Sequence, residues 1–107
     1  MEAFNKSEKF TLEGSVDYTD GGIISKILTR NTAGNVTLFS FDAGQSLSEH
    51  TAPFDALIQV LEGEALITIA KEQFQLLRGE CIIMPANVPH AVYARTRFKM
   101  LLTMIKG

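Results

Sequence analysis

The chain has 107 residues, 46% apolar and 21% charged, with a formal net charge of −2. That suffices for one hydrophobic core but not two, in the composition range of a soluble globular chain. Dispersed Lys and Arg give no footprint for nucleic acid or an anionic membrane, and no apolar run has the length of a transmembrane helix.

The first residues, Met1-Glu-Ala-Phe-Asn-Lys-Ser-Glu8, lack the hydrophobic region of a secretory signal. The single Cys81 has no partner for an intramolecular disulfide. Both features lead us to expect a cytoplasmic location. One domain is expected over residues 1–107, with 1–17 forming an N-terminal arm or a short helix. From there on, apolar segments are short, β-branched or aromatic, and bounded by Gly, Asn, Asp or Pro, which is a strand signature. Strands are predicted over 22–30, 35–42, 47–50, 56–62, 64–70, 74–77, 80–84, 90–94 and 98–105. Turns are predicted at Asp20-Gly21-Gly22, Ala33-Gly34-Asn35, Asp42-Ala43-Gly44, Glu62-Gly63-Glu64 and Arg78-Gly79-Glu80. So many short strands at regular spacing predict an all-β sandwich or closed barrel with little or no helix.

Alternation assigns faces. Ala65, Ile67 and Ile69 share one side of their strand; Phe98, Met100, Leu102 and Met104 share one side of the last. That last strand also carries Leu101 and Ile105 on its other side, and the segment from Cys81 to Met84 is apolar throughout. Strands apolar on both faces call for a second covering layer. In a domain this small, another subunit is the expected source, hence a homodimer.

The chain holds two histidines, His50 and His90. Neutral imidazole is the commonest protein metal ligand. The first lies in Gly44-Gln-Ser-Leu-Ser-Glu-His50-Thr-Ala52-Pro-Phe-Asp-Ala56, the second in Gly79-Glu-Cys-Ile-Ile-Met-Pro85-Ala-Asn87-Val-Pro-His90. Their spacing resembles the two motifs of the cupin superfamily, small jelly-roll barrels. In the first (44–63), Gly44, His50 and Gly63 fall in register; in the second (79–94), Gly79, Pro85 and His90 do. The resemblance implies a double-stranded β-helix barrel with His50 and His90 facing one hollow, as ligands of a divalent metal such as Zn, Ni, Fe or Mn. It also marks two losses. Ala52 stands at the second histidine position and Ala56 at the acid position, while Asn87 and Ala94 replace the motif's Gly and Asn.

Side chains that would complete the coordination sphere or line the pocket are Asp55, Gln59, Cys81, Met84, Tyr93 and Met100. Asp55 neighbours the lost acid but has the opposite strand parity, so only a bend after Pro53 would turn it inward. Thioethers would shift the preference toward copper(I). The plainer reading of Cys81 is a small buried hydrophobe, and of Met84, Met100 and Met104 core filler. Three functions compete. The first is a metal-dependent enzyme, by resemblance an oxygenase or isomerase; the second is a metal-free module binding a small molecule. The third is a scaffold with a vestigial cavity. No P-loop, dinucleotide fingerprint, HExxH, Cys-x-x-Cys or nucleophile elbow is present in the sequence.

Overall fold

The computed structural model describes residues 4–106. Its strands are β1 (Ile23–Asn31), β2 (Gly34–Phe41), β3 (Ser46–His50), β4 (Asp55–Glu62), β5 (Glu64–Ile69), β6 (Glu72–Leu77), β7 (Cys81–Met84), β8 (His90–Ala94) and β9 (Phe98–Ile105). They form two antiparallel sheets, in order β1-β2-β9-β4-β7 and β3-β8-β5-β6. The expected all-β jelly-roll barrel is what the chain adopts. The only helical element among the described residues is a 3-10 turn, Glu13–Ser15. None of their helices is long and apolar enough to cross a membrane.

Alternation places the core between the sheets. From the five-stranded sheet, Phe41, Ala56, Ile58, Val60, Met84, Phe98 and Met100 point inward; from the other, Ala65, Ile67, Leu76, Val92 and Ala94 do. Phe41 stacks on Phe98 with ring centroids 4.5 Å apart, each fully buried and contributing about 2–3 kcal/mol of transfer free energy.

The chain passes from β4 in one sheet to β5 in the other through Gly63, at φ +77°. A Cβ there would collide with the Arg97 carbonyl and with Phe98, so the crossing requires glycine. One further turn carries no glycine at all. Ile69 pairs with Glu72, leaving Ala70 and Lys71 as a two-residue loop with φ +49° and +70°. That is primed-turn geometry, normally given to Asn-Gly. The fifth strand therefore ends one residue before the expected Ala70, and the sixth begins two residues before the expected Phe74.

The N-terminal segment is an arm laid on the outer face of the larger sheet. The Lys26 and Lys99 ammoniums donate to the carbonyls of Ser15 (2.9 Å) and Glu13 (2.6 Å), and the Ser40 hydroxyl donates to that of Asp17 (2.8 Å). Val16 and the outward-facing Leu38 are both buried. The second layer over this part of the sheet is thus the chain's own arm rather than another subunit. Beyond it, the row Thr103-Leu57-Ile83 and the adjoining Ile105 are only partly covered, with Ile83 59% and Ile105 68% exposed.

Candidate functional site

His50 ends β3 and His90 begins β8, and the two are cross-strand partners. The pairing runs from Leu47–Val92 to His50–His90 with an irregularity between them, three steps on β3 against two on β8. Both Leu47 and Val92 face the core. Strict alternation would then turn Glu49 inward and His50 outward. The extra residue restores His50 to the side of His90.

The two loops that carry these residues are tied to each other. The Asn87 amide donates to the Ala52 carbonyl at 2.7 Å, and the Ala86 amide donates to the Asp55 carboxylate at 2.8 Å. Asn87 sits at φ +63°, a left-handed conformation that asparagine tolerates better than most residues. This accounts for its occupying a position where the motif has glycine.

The rings meet edge to face, with centroids 4.4 Å apart and planes at 70°, and their Nε2 atoms are 3.2 Å apart. His50 is at the exposed rim; His90 is 4% exposed. His50 Nδ1 lies 2.8 Å from the Ser48 carbonyl and His90 Nδ1 3.2 Å from the Val88 carbonyl. A carbonyl only accepts, so each Nδ1 carries the proton and donates. In the neutral rings each Nε2 is then a bare lone pair, and the two face one another. Burial, opposed by the hydrogen bond to Val88 and reinforced by the neighbouring His50, holds His90 below the ordinary imidazole value. The pair therefore presents an electron-rich notch that calls for an electron-pair acceptor.

Around it lies a cavity of about 50 Å³ lined by both histidines, Ala52, Ala56, three methionines and aliphatic residues from both sheets. Of the residues singled out in the sequence, His50, His90, Ala52, Ala56, Met84 and Met100 come together here. The other four do not. Asp55 holds the Ala86 amide at the turn. Gln59 and Cys81 pair with each other on the outer face of the larger sheet, and Cys81 is exposed rather than a buried hydrophobe. Tyr93 is 44% exposed and lies on the opposite face of β8 from Val92. Strand parity, which the bend after Pro53 does not override, decides all four. Met104 is the wall residue missing from that set, although its sharing a face with Met100 was visible in the alternation.

For a metal, the two nitrogens are well spaced. Zinc–nitrogen bonds of about 2.0–2.1 Å at a tetrahedral angle separate two nitrogens by about 3.3–3.4 Å. The rest of a hard divalent ion's donor set does not fit. No carboxylate, amide or hydroxyl side chain lines the cavity, and the described residues contain no group of three or more His, Cys, Asp and Glu side chains placed to hold an ion. A larger depression of about 770 Å³ lies between residues 4–10 and β1, and neither histidine lines it.

Comparison with known proteins places the chain. The family model described as "Cupin domain" matches residues 37–106. An uncharacterised protein of Streptomyces coelicolor is 33% identical over 84% of this chain and 81% of its own length. Among solved structures, a conserved Streptococcus pyogenes protein of unknown function superposes with TM-score 0.92 at 35% identity, covering 97% of this chain and 91% of that one. A cupin 2 conserved barrel domain protein from Leptotrichia buccalis gives TM-score 0.88 at 42% identity, over 91% of this chain and 47% of that one. Motif register, double-sheet barrel, family match and relatives agree: the chain belongs to the cupin superfamily.

Proposed function

We propose that this cupin barrel is a cation-binding protein whose Nε2 edges of His50 and His90 hold one metal ion. The observation that carries this reading is the pair of Nε2 atoms 3.2 Å apart, with both Nδ1 atoms within hydrogen-bond reach of carbonyls, so that both neutral rings would turn lone pairs toward each other. Such an arrangement is relieved by a cation placed against both. Two imidazoles fall short of the three protein ligands usual in catalytic zinc sites and in facial-triad iron sites. The donor set thus favours binding over the oxygenase or isomerase chemistry that the family resemblance suggests.

Chelator-stripped protein titrated with Zn(II), Ni(II) and, under reductant, Cu(I) tests the reading. One equivalent of an accepted ion is expected to shift the NMR signals of both rings, and His50→Ala or His90→Ala to abolish the response. Absence of any response from either ring to all three ions would sink it.

A metal-free small-molecule site is the second reading, favoured by the small side chains of Ala52 and Ala56 in the cavity lining. It has less support. The cavity, about 50 Å³, is well below the roughly 300 Å³ at which ligand pockets begin. A His90 kept neutral also brings no charge to an anion. We also assign the partly covered row around Leu57, Ile83 and Ile105 to a homodimer contact, for which roughly 800 Å² per partner is needed. Ile83→Lys with Ile105→Lys should then shift sedimentation from dimer to monomer. A cytoplasmic setting is in keeping with the exposed free thiol of Cys81.

A further inference from the structure

We infer that the ion is a soft monovalent one, Cu(I), held by His50 and His90 together with the thioethers of Met84 and Met104. This rests on the cation reading above and gives it a chemical class. The chain contains four methionines; the three besides Met1, at 84, 100 and 104, all line the small cavity that both histidines line. The register sharpens the point. Ala56, at the position where the cupin motif has its acid, is flanked across the sheet by Met84 on β7 and Met104 on β9. Directly opposed residues have Cβ atoms about 4.5–5.5 Å apart, so the space freed by the missing carboxylate is bordered by two flexible sulfur-bearing chains. With no carboxylate, amide or hydroxyl side chain in the lining, the only side-chain heteroatoms there are imidazole nitrogens and thioether sulfurs. That combination selects Cu(I) over hard divalent ions.

Charge points the same way. A divalent ion would enter a cavity with no anionic ligand, and Born desolvation scales with the square of the charge, about fourfold greater for a dication than for a monocation of the same radius. Methionines as core filler explain their burial, but not the absence of any oxygen-bearing side chain beside two facing lone pairs.

The test uses the full chain carrying Cys81→Ser, which removes the exposed thiol. Cu(I) is supplied anaerobically as its acetonitrile complex and competed against bicinchoninate. One Cu(I) per chain is expected, with sulfur as well as nitrogen scatterers at the copper X-ray absorption edge and no displacement by excess Zn(II). Met84→Leu with Met104→Leu conserves side-chain volume and should leave the chain folded, while weakening Cu(I) binding by at least about tenfold. Each single substitution serves if the pair fails to fold. Unchanged Cu(I) affinity in the leucine variants overturns the inference, as does binding of Zn(II) or Ni(II) in preference to Cu(I); both leave the cation reading standing. A chain that takes up none of the three ions loses both.

Discussion

The barrel treats polar groups differently at two places along β9. Near its start, polar side chains are tied together. Arg97 donates to Asp42 at 2.8 Å and to Asp20 at 2.7 Å. The Tyr18 hydroxyl donates to Glu62 at 2.6 Å, and the Arg97 and Lys99 cations lie 5.2 and 5.1 Å from the Tyr18 ring centroid. The hydrogen bond from Arg97 holds Asp42 below the usual carboxylate range. Burial, followed by the Glu62 contact, pushes the Tyr18 phenol above its ordinary value. Near the other end of β9, where Met104 lines the cavity, two imidazoles meet Nε2 to Nε2 at 3.2 Å with no other polar side chain beside them. Polar networks of several partners fasten the arm to the sheet; the histidine pair has only itself and two backbone carbonyls.

The contrast can be broken most severely at the fastened end. Gly63→Ala forces a Cβ into the Arg97 carbonyl at positive φ, and a loss of about 3 kcal/mol or more in urea unfolding is expected. Tyr18→Phe leaves Glu62 with only Lys99 beside it, at 3.7 Å, and should cost about 1 kcal/mol. The ring signals of His50 and His90 should be the same in the Tyr18→Phe variant as in its parent, which separates the two regions. Ala70→Asn with Lys71→Gly relieves the left-handed loop at the β5–β6 hairpin and should raise stability by about 1 kcal/mol; a loss would mean that these side chains do more than turn the chain.

The smallest effect concerns acid. Because His90 is held below its ordinary value of 6.5, the unfolded chain takes up the proton first as pH falls. The contribution of His90 is therefore complete above about pH 6.5 and drains away as pH drops through the lower folded value. The urea midpoint of chelator-treated protein should decline as pH falls below about 6.5, and His90→Ala should flatten that decline.

Much of this was legible from residue order alone. Alternation and glycine-marked turns located the strands because both express backbone sterics that act locally. The hairpin at Ala70-Lys71 was hidden because neither residue advertises positive φ, and the surrounding sheet imposes it. Gln59 and Tyr93 stood beside Met84 and Met100 as candidates although strand parity puts them on opposite faces, and parity could not show that an extra residue between Leu47 and His50 resets the face of His50. Bulges leave no fixed signature in one sequence. The arm was similarly opaque, since its attachment depends on Lys26, Ser40 and Lys99 reaching carbonyls far away in the chain.

The ties between the Ala52 carbonyl, Asp55 and the Ala86–Asn87 amides bear on kinetics as much as on architecture. They brace the segment leaving His50 against the segment entering His90, so the notch is built before any guest arrives. A guest would pay little entropy to organise it, and uptake should proceed without a slow rearrangement of these segments. Residence time would then be set by how readily the rim imidazole lets go.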